Sequence, residues 1–208
     1  MWARLYKSFG TLAERGPEDG PKLMVIPGFV ANDRTTLGLQ RALAAAGYRV
    51  TGWGLGMNKG ATADMLERMA RQIEAFGGGS KVILVGWSLG GVFARELAKV
   101  RPELVAKVVT MGSPFSGDPR SNNVWRLYEW IAGHPVDNPP IGAVLSEKPP
   151  VPTLALWSRK DGIVSVRSTR GLPGESDRQL EIDCSHMGFA VSGRAAPAVV
   201  AAIKGFDT

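Results

Sequence analysis

The 208-residue chain contains a single cysteine, Cys184, and only two histidines, His134 and His186. One cysteine cannot form an internal disulfide, so nothing in the sequence requires an oxidising compartment. No group of histidine, cysteine and carboxylate residues has the spacing of metal ligands, and we expect neither a metal nor another cofactor. No apolar run reaches membrane-spanning length, and charges interrupt residues 2–9, where a signal peptide would be continuous. We therefore expect a cytoplasmic protein.

A concentrated block of basic residues is also missing. The 25 Lys and Arg against 19 Asp and Glu give a net charge of +6, but they are scattered and no aromatic platform lies among them. This distribution argues against nucleic acid as a partner. The glycines of Gly52–Gly56 lack the spacing of a dinucleotide-binding turn. A hydrophobic fraction of 44% with 21% charged residues is typical of a globular protein, and the length suits one domain over 1–208.

Short apolar, β-branched runs alternate with helical patterns along the chain. The predicted strands cover 22–26, 48–53, 81–85, 105–111, 153–157 and 179–183, and the predicted helices cover 35–46, 62–76, 90–100 and 197–206. Nearly continuous apolar strands are typical of a parallel sheet that is covered on both faces. The alternation therefore predicts an α/β fold with a doubly wound, mostly parallel sheet flanked by helices.

Two segments fall outside this alternation. Residues 1–20 predict an amphipathic helix packed on the domain, with contact to a membrane surface as the alternative; its apolar stripe is Trp2, Leu5, Tyr6, Phe9 and Leu12. Residues 114–150 are rich in proline and too long for a plain loop, and they predict a lid-like insertion. Its aromatic residues Trp125, Tyr128 and Trp130 are candidate acyl-binding residues, with packing on the sheet edge as the alternative.

The candidate nucleophile is Ser88, in the sequence GWSLG at Gly86–Gly90. This G-x-S-x-G follows a predicted strand and opens a predicted helix, a turn so sharp that glycine is needed on both sides of the serine. Such a turn exposes the hydroxyl at the carboxyl edge of the sheet, where open α/β sheets bind ligands. The hydroxyl needs a base, and in the chain order of nucleophile, acid and histidine the candidate is His186. His134 precedes any later acid and is interpreted as a loop histidine.

The remaining catalytic parts are an acid and an oxyanion hole. Asp161 follows the strand at 153–157 and is the candidate acid, with Asp118 as its competitor, whereas Asp183 lies too close along the chain to His186. Two backbone N–H groups would bind the oxyanion: that of Leu89 at the start of a helix, and that of Phe29 after the first strand. A plain turn is the alternative for the second.

Together these residues resemble the α/β-hydrolase superfamily on its esterase and lipase side. The resemblance covers about residues 22–206 and rests on PGF at 27–29, GWSLGG at 86–91, MGSPFSG at 111–117, SRKDGIV at 158–164 and SHMG at 185–188. It implies a minimal α/β-hydrolase fold without the two N-terminal strands of larger members. Proline replaces the histidine that commonly precedes Gly28, which alters the support of that loop.

The resemblance also implies hydrolysis of carboxylic esters through an acyl-enzyme, carried out by Ser88, His186 and Asp161. We expect a small-molecule ester with a short-to-medium acyl chain as the substrate. A thioesterase and an acyltransferase would use the same three residues, so both remain open. A binding protein built on an inactive hydrolase scaffold is the alternative from a different class.

Overall fold

The computed structural model describes residues 14–117 and 144–206. Its strands are β1 (Lys22–Ile26), β2 (Arg49–Gly52), β3 (Val82–Trp87), β4 (Val105–Met111), β5 (Thr153–Trp157) and β6 (Arg178–Glu181). Its helices are α1 (Leu37–Ala45), α2 (Met65–Gly77), α3 (Leu89–Val100), α4 (Val166–Arg170), α5 (Gly188–Val191) and α6 (Ala196–Lys204). A short 3₁₀ turn at Pro102–Leu104 links α3 to β4.

The strands form one open sheet in the order β2-β1-β3-β4-β5-β6, and every neighbouring pair in it is parallel. The predicted doubly wound parallel sheet is therefore confirmed. The chain moves outward from β1 to β2 and then crosses to the other side of β1 to form β3. The order reverses between β1 and β3, and ligands of open α/β sheets bind outside the carboxyl ends of the strands at such a point.

The sheet is covered on both faces, which is why its inner strands β1, β3, β4 and β5 are mostly apolar. In β1, Leu23 and Val25 pack with one core cluster, while Met24 and Ile26 pack with the other. Residues of α1 and α6 complete the first cluster, and residues of α2 and α3 complete the second. Because successive side chains of a strand point to opposite faces, two buried faces demand an unbroken apolar sequence.

The predicted bounds agree with the structure at β1, β4 and β5 and shift by a few residues elsewhere. The second helix was predicted to end at residue 76, but Gly77 is its last residue, and Gly78 makes the left-handed end with a φ of 52°. The short helices α4 and α5 were not predicted, since helices of 5 and 4 residues are too short to show a periodic apolar pattern.

Parts of two predictions lie outside the described residues. The apolar stripe of the expected N-terminal helix is among them, and the described remainder, 14–20, is not helical, because Arg15 pairs with Val50 beside β2. The expected helix therefore does not extend to residue 20. Most of the expected insertion over 114–150 is also outside the described residues. Within the described ranges, no helix combines the length and the apolarity needed to cross a membrane.

Candidate active site

The site is built where the loops after β1 and β3 lie side by side. β1 and β3 pair in parallel, with Ile26 opposite Gly86, so the two strands end next to each other. The loop after β1, residues 27–31, is called the oxyanion loop below. The turn after β3 carries Ser88, the first residue outside that strand. Topology thus places both loops at the edge where this fold class binds ligands.

Ser88 has the strained backbone that the sequence motif predicted. Its φ of 53° and ψ of −124° are rarely adopted by residues other than glycine. The turn closes tightly, because a Cβ added to Gly86 would meet the backbone of Gly90 and Gly91. A Cβ on Gly90 would lie 2.7 Å from the carbonyl oxygen of Pro27. Only glycine fits at either position, and the serine side chain is left half-buried rather than packed away.

His186 and Asp161, assigned from chain order, form a buried pair. The Nδ1 atom of His186 lies 2.7 Å from Oδ2 of Asp161, and their side chains are 5% and 0% exposed. The other carboxylate oxygen, Oδ1, accepts from the backbone N–H groups of Ile163 and Val164 at 2.9 and 2.8 Å. These two donors fix the carboxylate, so its free side can orient the imidazole.

Two contacts place Ser88 in the same neighbourhood as this pair. The Ser88 N–H donates to the carbonyl oxygen of Met111 at 2.9 Å, and a Cβ added to the next residue, Gly112, would lie 3.0 Å from Oδ2 of Asp161. Trp87, directly before Ser88, donates from Nε1 to the carbonyl oxygen of His186 at 3.0 Å. The ends of β3 and β4 therefore lie directly beneath the histidine and its carboxylate.

The oxyanion loop approaches the serine closely. A Cβ added to Gly28 would lie 3.1 Å from Cβ of Ser88, so the backbone there passes against the nucleophile candidate. Phe29 follows in this loop, and Leu89 is the first residue of α3. The first N–H groups of a helix have no partner within it, which suits Leu89 to bind an anion. Both residues therefore lie close to Ser88 along the chain or across the loop contact, and their role as oxyanion donors stays a prediction.

Asp183 and Cys184, which lie close to His186 along the chain, take no part in the pair. Asp183 points away from His186 and pairs with Lys160 at 2.7 Å on the surface. Burial raises the pKa of the Cys184 thiol to about 11, and the charges of Asp161 and Asp183 act in the same direction. Cys184 is therefore protonated at neutral pH and a poor nucleophile.

Within 14–117 and 144–206 no group of acidic, histidine or cysteine side chains could hold a metal ion.

Five of the residues weighed from sequence lie outside the described residues. They are the competing acid, the second histidine and the three proposed acyl-binding aromatics: Asp118, His134, Trp125, Tyr128 and Trp130. Their placement and roles stay predictions.

Sequence reasoning missed Arg95, which anchors the described ends of the expected insertion. Its fully buried guanidinium lies 4.1 Å from the centre of the Phe115 ring. It also donates to the carbonyl oxygens of Glu147 and Glu175, both at 3.0 Å. Burial lowers the pKa of Arg95 to about 10, so the group stays charged at neutral pH. In sequence Arg95 resembles any basic residue of a solvated helix face, and no local signal marks it as buried.

The chain belongs to the alpha/beta hydrolase fold family, whose pattern it matches over residues 21–133. This match confirms the family that the motifs indicated. The nucleophile turn, the oxyanion loop and Gly112 fall inside the matched range, and Asp161 and His186 follow it.

Known relatives show several activities on this fold. A triacylglycerol lipase of Pseudarthrobacter phenanthrenivorans is 43% identical over 54 residues, which are 26% of this chain and 17% of that enzyme. The aligned stretch is thus about a sixth of the lipase. The structure of a monoacylglycerol lipase of Paleococcus ferrophilus superposes with a TM-score of 0.70 at 16% identity, covering 93% of this chain and 98% of that one.

A thioesterase domain from the curacin biosynthetic pathway superposes almost as well. Its TM-score is 0.66 at 15% identity, over 92% of this chain and 93% of that domain. At such identities the superpositions show the fold alone, and the same fold serves unrelated substrates. The choice among substrates therefore has to come from the site.

Proposed function

We propose that this chain is a serine hydrolase that cleaves carboxylic esters through an acyl-enzyme. The observation that carries the proposal is the strained Ser88 turn beside the buried pair of His186 and Asp161. A strained serine, a histidine and a buried carboxylate at the carboxyl edge of one sheet are the parts that acyl transfer requires. The lipase relatives support an ester as the substrate class.

In the proposed reaction, Ser88 Oγ attacks the acyl carbon while Nε2 of His186 takes the hydroxyl proton. The N–H groups of Leu89 and Phe29 bind the resulting oxyanion. The C–O bond to the alcohol breaks, and His186 returns the proton to the leaving oxygen. Water then attacks the acyl-enzyme and loses one proton to His186, which passes it to Ser88 Oγ as the carboxylic acid leaves and ionises in solution. Asp161 holds the imidazole and stabilises its charged form.

The proposal includes a preference for short-to-medium acyl chains. Support comes from the described ends of the insertion, since Arg95 holds Phe115 at one end and Glu147 at the other. The 37 residues predicted for this insertion would shelter only a modest acyl chain, and each methylene adds up to about 0.8 kcal/mol only while pocket remains to be filled. A kcat/KM series on p-nitrophenyl esters should therefore peak rather than rise steadily with chain length.

A fluorophosphonate probe followed by a substrate panel tests the proposed function. Wild-type protein should be labelled at Ser88, and Ser88→Ala should lose labelling and at least about a thousandfold of its turnover. Ser113→Ala is the matched control, because Ser113 is a fully buried serine at the end of the neighbouring strand β4. The panel pairs each oxygen ester with its thioester, which tests the thioesterase alternative. Labelling that persists in Ser88→Ala would refute the proposal.

A further inference from the structure

Asn58 holds the oxyanion loop through its backbone. The Asn58 N–H donates to the carbonyl oxygen of Ala31 at 2.8 Å, and the Asn58 carbonyl oxygen accepts from the Val30 N–H at 2.8 Å. Residue 58 lies in the segment that follows β2. Its N–H and its carbonyl oxygen are thus both hydrogen-bonded to the end of the loop. The loop is thus tied to a segment that is remote from it in sequence.

The Asn58 side chain holds the beginning of the same loop. Its Nδ2 donates to the carbonyl oxygen of Pro27 at 2.9 Å, and its Oδ1 accepts from the Gly60 N–H at 3.1 Å. The side chain is completely buried, so water cannot replace either partner. An amide satisfies both contacts because it has a donor on one atom and an acceptor on the other. A carboxylate of the same shape would place an acceptor against the Pro27 oxygen.

The bonds from Asn58 act on a strained backbone. Val30 has a φ of 57°, and besides Ser88 it is the only residue other than glycine with a positive φ among the described ones. A β-branched residue is strongly disfavoured there, because its Cβ crowds the adjacent carbonyl oxygen. The Val30 side chain is 44% exposed, so packing does not hold it in place. This conformation is held by the hydrogen bonds to Asn58 and by one bond within the loop, from the Ala31 N–H to the Gly28 carbonyl oxygen at 3.1 Å.

The strain lies directly beside the proposed oxyanion donor. Phe29 sits between Gly28, which passes against Ser88, and the strained Val30. The direction of the Phe29 N–H is set by the peptide plane between residues 28 and 29. That plane turns if the loop relaxes, and an oxyanion donor that turns away loses its effect in the transition state.

We infer that Asn58 is a positioning residue for the oxyanion hole. Its side-chain bond to Pro27 and its backbone bonds to Val30 and Ala31 hold the Phe29 N–H toward Ser88 against the strain at Val30. The inference rests on the proposed function, since it assigns part of the machinery of that same site. It adds a residue outside the three catalytic side chains and outside the oxyanion loop.

Two substitutions at Asn58 test the side-chain bond. Asn58→Ala removes the donor and the acceptor, and Asn58→Asp keeps the shape but loses the donor to Pro27. Both should lower kcat on a p-nitrophenyl ester by about 10- to 100-fold with KM changed less than about twofold, because the oxyanion exists only in the transition state. The rate of fluorophosphonate labelling should fall by a similar factor. Asn32→Ala is the matched control, since among the described residues that side chain accepts only from the Arg34 N–H.

A rescue experiment separates positioning from simple stabilisation. Glycine adopts a positive φ without steric cost, so Val30→Gly removes the strain that Asn58 is inferred to oppose. In the Asn58→Ala background, Val30→Gly should restore kcat by at least about fivefold relative to Asn58→Ala alone. A loss of stability without mispositioning would lower the melting temperature but leave kcat per folded molecule unchanged. It would also show no such rescue.

The outcomes distinguish the inference from the function on which it rests. If wild-type protein is not labelled at Ser88, the proposed function falls and the inference falls with it. If wild-type protein is labelled and both Asn58 variants keep their kcat, the inference alone is overturned. Asn58→Gln, which keeps the amide but displaces it, is the third variant. Failure of all three variants to fold would overturn positioning in favour of a purely structural role.

Discussion

Protonation of Asp33 is expected to stabilise the folded chain. Its carboxylate is 6% exposed and accepts from the backbone N–H groups of Trp53 and Gly54 at 2.9 and 3.2 Å. Burial raises the pKa of Asp33 from 3.8 to about 6, and the two hydrogen bonds only partly oppose this rise. Asp33 lies just past the oxyanion loop and ties it to the end of β2.

The direction and size of the effect follow from linkage. Because the folded pKa lies above the unfolded one, the folded state binds the proton more tightly, and the stabilisation is lost as pH rises through about 6. A rise of about two pKa units corresponds to about 3 kcal/mol in full, of which about 2 kcal/mol falls between pH 4 and pH 7. The contribution of Asp33 to the free energy of unfolding should therefore decrease from pH 4 to pH 7.

Urea unfolding of wild type and Asp33→Asn at several pH values isolates this contribution. The amide cannot ionise, so residue 33 adds no pH dependence to the stability of Asp33→Asn. The penalty for its NH₂ group facing one of the two backbone donors is the same at every pH. The advantage of wild type over Asp33→Asn should then shrink by about 2 kcal/mol between pH 4 and pH 7. A constant difference would refute the raised pKa. A difference that grows with pH would show that the hydrogen bonds outweigh burial.

Five further substitutions test the site and its support. Asp161→Asn should lower kcat by about 10⁴-fold because the imidazole loses its orienting carboxylate, whereas Asp183→Asn should leave kcat near wild type; the reverse pattern in ester hydrolysis would contradict the assignment. Asp118→Asn should also change kcat little, because Asp118 is the alternative candidate for the acid and Asp161 is the assigned one. Gly90→Ala should slow fluorophosphonate labelling and cost about 1–3 kcal/mol, since its Cβ would meet the carbonyl oxygens of Ile26 and Pro27; normal labelling would show that the turn tolerates a side chain. Arg95→Met should lower the free energy of unfolding by about 3 kcal/mol through the loss of two charged-donor hydrogen bonds. Unchanged urea unfolding of Arg95→Met would show that those bonds contribute nothing net.

Local patterns along the chain were enough to predict the fold and part of the site. Buried strands of a parallel sheet are apolar on both faces, so β1, β4 and β5 could be delimited from composition alone. The turn at Ser88 is a strand, a sharp bend and a helix in direct succession, and its glycines are required by contacts within that bend. Chain order then selected His186 and Asp161, and the structure places the two in contact.

The supporting residues could not be found in this way. Asn58 and Asp33 bind segments that lie close only because β1 and β2 are neighbours in the sheet. Arg95 is buried because two loops from beyond β4 and β5 fold over α3. Nothing within a few residues of these positions distinguishes them from polar residues in solvent.

The sequence by itself determined the fold class, the nucleophile candidate and the order of its partners, because each depends on interactions between residues that are close along the chain. Only the tertiary structure decided that Asn58 holds the oxyanion loop, that Val30 is strained within it, and that Asp183 turns away from His186. The physical reason is that hydrogen bonds between distant segments depend on strand order and loop path. Those are set by the packing of the whole sheet, and no local stretch of sequence encodes them.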